Sequence, residues 1–258
     1  MSTTRIAVVI GGASGIGWAT ARLLADQGCR VTIADRNTDG ARRCAAQLGE
    51  PHGWAEVEVT DEDSVARLFD EVATREGGLD TVVNCAGFSG FGMITDLDAE
   101  QFRAVVDVCL TGAFLVIKHA ARHFSAGGTL VSLTSLNARQ PAIGMSAYCS
   151  AKACLSMLTE VAALELGPRG IRVNAVAPGF VHTPLTEAAA AIPGVVEDYV
   201  ENTALGRAGT PEDVAAAVAF LCSPQSAWMT GEVLDLNGGA HLKRYPDIHQ
   251  HLSKLMGQ

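Results

Sequence analysis

At 258 residues, with 48% hydrophobic and 18% charged side chains, the chain can bury a large core as one α/β unit or two smaller domains. A formal charge of -9 argues against nucleic acid or an anionic membrane surface as a partner, which leaves small molecules as the natural ligands. Seven cysteines, an odd number without CxxC spacing, fit reduced buried thiols better than a disulfide frame or a zinc site. Met1 to Thr4 leads straight into a short apolar strand with no signal-peptide pattern, and no run of about 18 apolar residues suggests a membrane span. A cytoplasmic location is expected.

Strand-like runs at Ile6–Ile10, Val31–Ala34, Trp54–Val59, Thr81–Asn84, Thr129–Leu133, Val173–Ala177 and Val233–Leu236 alternate with helical patterns. The helices include Trp18–Gln27, Ser64–Arg75, Ala99–His123, Ala147–Leu166 and Asp213–Leu221. Several strands are nearly continuous in Val, Ile, Leu and Ala, as strands are when helices cover both faces of a parallel sheet. The rhythm is βαβ, and it predicts a doubly wound α/β architecture. No composition break or linker divides the chain, so residues 1–258 read as a single domain. An alanine-rich piece, Glu187–Ala191, reads as helix, and the tail from 240 to 258 follows the last strand.

The first strand feeds Gly11-Gly12-Ala13-Ser14-Gly15-Ile16-Gly17 and then a helix. Glycines let the backbone turn sharply and approach a pyrophosphate, while free amides and the helix dipole stabilise its charge. The second strand ends at Asp35-Arg36, near the roughly 20-residue separation at which an acidic side chain meets the adenosine ribose. The Asp35 carboxylate accepts bonds from ribose hydroxyls and repels a 2′-phosphate, which favours NAD over NADP. Arg36 works the other way if it faces a phosphate, and is an ordinary surface residue if it does not.

With these signatures the sequence resembles the short-chain dehydrogenase/reductase family over nearly its whole length. Three further segments carry the likeness: Asn84-Cys85-Ala86-Gly87 after the fourth strand, Pro178-Gly179-Phe180-Val181-His182-Thr183 after the sixth, and Ser135 followed by Tyr148 and Lys152. The resemblance implies a Rossmann fold with a mainly parallel seven-stranded sheet, and cofactor contacts at Gly11, Ser14, Gly15, Ile16, Gly17, Asp35, Asn84, Ala86, Gly87, Tyr148, Lys152, Pro178, Gly179, Val181 and Thr183. Glu58-Val59 occupies the family's adenine-facing pair, with Val59 the safer contact. Family members usually pair the helix 147–166 in dimers and tetramers, so a homo-oligomer is expected, although burial in the chain's own core would give the same pattern.

Exchange of a hydride with a carbonyl carbon requires a positioned acid or base for the oxygen's proton. Tyr148 and Lys152, four residues apart on a helix, share one face. A nearby ammonium lowers a phenol's pKa from its usual value of about 10, and that role falls to Lys152. Ser135, just beyond the fifth strand, is expected to hydrogen-bond the substrate oxygen, and the resemblance gives Lys152 the nicotinamide ribose as a second partner. The chain departs from the family at Cys109-Leu110-Thr111-Gly112, where relatives carry asparagine first. The proton relay behind the lysine is therefore expected to differ, while a small buried thiol filling space is the plainer alternative.

These readings predict an oxidoreductase acting with NAD(H) on a moderately apolar secondary alcohol or ketone. Alternatives are a 3-oxoacyl thioester reductase and a weakly catalytic nucleotide-binding scaffold or redox sensor. The segments 88–93, 136–145 and 184–206 are expected to set specificity, the last as a mobile lid interrupted by Pro193-Gly194. Arg139 reads as solvent-facing rather than as a substrate partner. His119 and His123, four apart, lack a third ligand and read as an exposed face or subunit contact rather than a metal site. Arg244-Tyr245-Pro246, His249 and His251 in the tail read as a subunit contact or a surface cap, with no catalytic role.

Overall fold

The structure, a computed structural model, describes residues 4–256 apart from the side chains at 125 and 126. Residues 1–3 and the last two of the expected tail lie outside the described residues. Seven strands form one sheet: β1 (Ile6–Ile10), β2 (Arg30–Asp35), β3 (Gly53–Glu56), β4 (Leu79–Asn84), β5 (Phe124–Leu133), β6 (Arg172–Pro178) and β7 (Val233–Leu236). Their order is β3-β2-β1-β4-β5-β6-β7, and every neighbouring pair is parallel. The sheet expected to be mainly parallel is thus wholly so among the described residues. β3 is shorter than predicted: Val57 and Val59 leave the ladder but stay buried.

Side chains alternate across a strand, so β1 feeds both cores at once. Val8 and Ile10 join Leu68, Phe69, Val82, Val116 and Leu130 on one face, whereas Ala7 and Val9 join Leu24, Ile33, Val83, Val176 and Val218 on the other. The first face is covered by α3 (Glu62–Glu76) and the long helices that follow; the second by α1 (Gly15–Asp26), α2 (Thr38–Leu48) and the helix before β7. Asp61 caps α3 through the amide of Asp63, and Gly77 ends it in the left-handed region at φ 79°.

The stretch predicted as one helix over 99–123 is interrupted. It runs as α4 (Ala99–Val106), a π turn (Asp107–Thr111) and α5 (Gly112–His123). Its length and apolar composition would suffice to cross a membrane, yet 56% of its most apolar window is buried in the protein, as in a core helix. His119 is correspondingly inside, with Nε2 3.0 Å from the Glu62 carboxylate, rather than on an exposed face. His123 pairs with Asp70, and no cluster of three metal-ligating side chains occurs among the described residues.

α6 (Ser146–Leu166) follows β5. Beyond β6 come α7 (Glu187–Ala190), the Pro193-Gly194 break and α8 (Val195–Glu201), then α9 (Pro211–Leu221), started by a Thr210/Asp213 capping box. The tail ends in α10 (Ile248–Leu255).

Candidate active site

In a doubly wound sheet the connections leave β1 and β4 in opposite directions, opening a crevice at the strands' carboxyl ends. The main cleft lies there, lined by the glycine turn, Asp35, Arg36, Glu58, Val59, Ala86, Gly87, Ser135, Tyr148, Lys152, Pro178, Gly179, Val181 and Thr183. Asn84 is the one predicted contact that does not line it. It is buried, and its Oδ1 accepts from the Ala86 amide at 3.1 Å, so it shapes the loop from behind.

The turn is a cradle with no room for a Cβ at its first and last glycines. A Cβ at Gly17 would stand 2.1 Å from the Gly11 carbonyl oxygen, and one at Gly11, where φ is +70°, would stand 2.9 Å from the Cys85 backbone. Ser14 precedes α1 without capping it, and the first turn carries no acidic residue. Its amides therefore stay available to an anion at the positive end of the helix dipole. Asp35 stiffens the same turn: one oxygen accepts from the Ala13 amide at 3.0 Å, the other from Asn37 at 2.9 Å. Each oxygen keeps a second lone pair for a ligand hydroxyl. A close-approach cradle, an open helix terminus and an anchored carboxylate are what a dinucleotide requires, so the residues present fit that group.

Past the cradle, β5 delivers Ser135 and α6 presents Tyr148 and Lys152 one turn apart. Lys152 is 2% exposed, with Nζ donating to the Leu133 carbonyl at 2.7 Å and lying 5.6 Å from the centre of the Tyr148 ring. Burial pushes the lysine's pKa down. Burial also pushes the Tyr148 phenol above its usual range, and the Ser135 hydroxyl pulls it only partly back. Spacing takes no account of the phenol's desolvation, which sets the direction of the shift here.

Comparison with known proteins settles the family. The model described as Enoyl-(Acyl carrier protein) reductase matches residues 11–241. The cis-4-hydroxycyclohexanecarboxylate dehydrogenase of Sinomonas cyclohexanicum is 42% identical, covering 91% of this chain and 96% of that protein. A 3-oxoacyl-[acyl-carrier-protein] reductase of Aquifex aeolicus is 34% identical over 91% and 96% of the two chains. A short-chain type dehydrogenase/reductase from Mycobacterium ulcerans superposes with a TM-score of 0.94 at 35% identity, covering 100% of this chain and 98% of that one. The chain belongs to the short-chain dehydrogenase/reductase family. As a member it is an oxidoreductase of the alcohol/carbonyl class, which works with nicotinamide cofactors.

This short-chain dehydrogenase/reductase places its departing residue, Cys109, inside the π turn. The wider turn directs the thiol inward, where Sγ donates to the Phe88 carbonyl at 3.2 Å and accepts from its amide at 3.4 Å. Cys109 packs with Val105, Ala147, Tyr148 and Ala151, so it pins the loop after β4 against the helix that carries the tyrosine.

Sequence reasoning missed the hydrogen-bonded cluster that joins Asn137, beside Ser135, to the tail. Asn137 accepts through Oδ1 from the Tyr245 hydroxyl at 3.2 Å, and Tyr245 is 2.8 Å from the hydroxyl of Tyr199 on α8. Tyr199 in turn stacks on Phe180, ring centres 4.4 Å apart. The chain has three tyrosines, and Tyr148 lies near enough to act electrostatically on the other two. The tail thus folds over its own chain: Arg244 and His251 both bond the buried Asp198 of α8, at 2.5 and 3.1 Å. Nothing local to the tail marks this, beyond an aromatic residue beside a base in an otherwise polar stretch. Arg139, read as solvent-facing, is exposed, and it pairs with Asp235 at the surface.

Proposed function

We propose that the protein oxidises a secondary alcohol, or reduces the corresponding ketone, with NAD(H) preferred over NADP(H), and that Ser135, Tyr148 and Lys152 carry the reaction. The observation that supports it best is the meeting of these three side chains in the cleft that the glycine turn and Asp35 also line. The nicotinamide ring supplies the hydride acceptor or donor. The Ser135 hydroxyl donates to the substrate oxygen and orients it, Tyr148 Oη takes or returns the oxygen's proton, and Lys152 holds the nicotinamide ribose and carries charge beside the tyrosine. Gly11, Ser14, Gly15, Ile16 and Gly17 bind the pyrophosphate, Asp35 the adenosine ribose, and Val59 the adenine. The anchored Asp35 carboxylate supports the NAD preference through its repulsion of a 2′-phosphate.

Leu185 and Phe88 at the cleft, with Phe91, Ile143 and Met145 in the segments expected to set specificity, favour a moderately apolar substrate. The likeness to a cis-4-hydroxycyclohexanecarboxylate dehydrogenase favours a cyclic secondary alcohol. The segment 184–206 acts as the substrate lid. Met157, Val161 and Leu164, exposed on one face of α6, support a homodimer or homotetramer. Seven unpaired cysteines support a reducing, cytoplasmic setting.

The test is an absorbance assay of reduced nicotinamide formation with NAD and NADP against cyclic and acyclic secondary alcohols, and of its consumption with the matching ketones and a 3-oxoacyl thioester. Turnover with NAD and a cyclic alcohol, lost in Tyr148→Phe without loss of cofactor binding, is expected. Turnover persisting in Tyr148→Phe would overturn the mechanism, and a preference for the thioester with NADPH would overturn the substrate assignment.

A further inference from the structure

We infer that the substrate is a secondary alcohol or ketone whose uncharged, apolar body extends past the reacting carbon onto a rim made by Phe88, Phe91, Ile143 and Leu185; this rests on the alcohol/ketone reaction proposed above. Phe88 and Leu185 line the cleft together with Ser135 and Tyr148. Phe91 and Ile143 continue that apolar surface outward, and all four side chains are between 40% and 50% exposed. Single exposed apolar side chains are ordinary on a protein surface, whereas a cluster continuous with a cleft marks a binding surface. The rim is also built rather than loose. Phe88 is bonded through its amide and carbonyl to Cys109 Sγ at 3.4 and 3.2 Å, and the Gly92 amide donates to the Gly144 carbonyl at 2.9 Å. The Phe91 ring packs over Gly144, next to Ile143, where a Cβ would stand 2.6 Å from Cζ. Both loops are thus held in place with their large side chains half uncovered, and a ligand supplies the missing cover.

The charges around the rim decide what kind of body it accepts. Residues 88–93 carry no charged side chain, 136–145 carry only Arg139, and 184–206 carry Glu187, Glu197, Asp198 and Glu201 with neither lysine nor arginine. Arg139 is held by Asp235. The bases that the tail brings to α8 are engaged as well: Arg244 and His251 bond Asp198 at 2.5 and 3.1 Å, and Lys243 donates to the Glu201 carbonyl at 2.6 Å. Of the cations lining the cleft, Arg36 sits beside Asp35 at the far end, and Lys152 is buried with its ammonium on the Leu133 carbonyl. A carboxylate on the substrate would lose water against Phe91 and Ile143 without gaining a partner, with Glu187 only two residues beyond the cleft-lining Leu185. An uncharged ring or alkyl body gains by covering the same side chains.

The test measures kcat and KM, by formation of reduced nicotinamide, for cyclohexanol, 4-tert-butylcyclohexanol, 4-hydroxycyclohexanecarboxylate and the methyl ester of that acid. The tert-butyl alcohol should exceed cyclohexanol about tenfold in kcat/KM, mainly through KM, because a half-open rim realises only part of the roughly fourfold per methylene that full burial gives. The ester should exceed the acid at least about fivefold. Ile143→Ser should cut the tert-butyl advantage about threefold with the thermal midpoint little changed, and Phe91→Leu, which keeps a side chain over Gly144, is the second variant and should cut it about twofold. Equal kcat/KM for the two alcohols, an acid turned over as well as its ester, or a tert-butyl advantage intact in both folded variants overturns the inference and leaves the alcohol/ketone reading in place. Absence of turnover with every alcohol and ketone overturns that reading and the inference with it, which separates the two failures.

Discussion

Gly17→Ala is the sharpest probe of the nucleotide cradle, because the methyl group has nowhere to go. Its Cβ would stand 2.1 Å from the Gly11 carbonyl oxygen, 2.8 Å from the carbonyl carbon and 3.1 Å from Gly12 Cα. Carbon pairs sit comfortably at about 3.5–4.0 Å, so the turn must retreat by roughly an ångström. All three obstacles are backbone, and no rotamer change relieves them. Gly11 cannot yield freely, since it lies against the Cys85–Ala86 backbone on its other side. Overpacking of this kind costs about 1–3 kcal/mol of stability. The larger effect falls on binding: a displaced turn loses one or two charge-assisted bonds to the pyrophosphate, about 2–4 kcal/mol, or roughly 30- to 700-fold in affinity. Titration of NADH by fluorescence, beside thermal denaturation, measures both. Gly28→Ala is the control, with φ +84° but nothing within 4 Å; it should cost about 1–2 kcal/mol of stability and leave NADH binding unchanged. A folded Gly17→Ala protein that binds NADH as tightly as the unmodified one would refute the cradle.

Three further outcomes are expected. Burial raises the Tyr148 pKa, so the neutral phenol dominates at neutral pH; alcohol oxidation, which needs the phenolate, should rise with pH into the alkaline range, and pH–rate profiles in both directions check this. Burial of Asp198 works against its ionisation, yet the bonds from Arg244 and His251 outweigh it and hold the carboxyl below the usual range. The stability this contributes is complete above the unfolded carboxyl pKa of about 4 and is lost as pH falls through the lower folded value, so melting between pH 6 and 3 should fall less steeply in Asp198→Asn. Cys109→Asn, which restores the family's residue but must rebuild the two contacts to Phe88, should change both the rate and its pH profile; an unaltered profile would assign the thiol to packing alone.

The sheet was legible because its evidence is local. β1 is a continuous apolar run, and the period of two that buries Val8 on one face and Val9 on the other requires no knowledge of the partners. The glycine turn and the Tyr148/Lys152 spacing are likewise short-range, which is why almost every predicted contact lines the cleft. The failures share a different cause. His119 looked exposed because its partner, Glu62, lies 57 residues earlier. Asn84 belongs to a motif that borders the cleft and was expected to shape the cofactor pocket, and its Oδ1 accepts from an amide two residues on. Tyr245 meets Asn137 across 108 residues, and no period or propensity encodes that encounter.

The tyrosine and lysine show where spacing stops being sufficient. A four-residue separation on α6 guarantees a shared face, and a shared face guarantees interaction, but the sign of a net pKa shift depends on how much water each group has lost. Lys152 keeps a strong bond to the Leu133 carbonyl, and both groups are deeply buried. Low-dielectric surroundings disfavour phenolate and ammonium alike, so burial drives each group toward its neutral form. The same surroundings strengthen every charge that enters the cleft. A tyrosine held protonated until ligands bring that charge is suited to giving a proton to a ketone oxygen, and it exchanges protons least with bulk water. The alkaline rise in oxidation therefore reports the desolvation that spacing alone left out, and a rate already maximal near neutral pH would show that Lys152 outweighs burial after all.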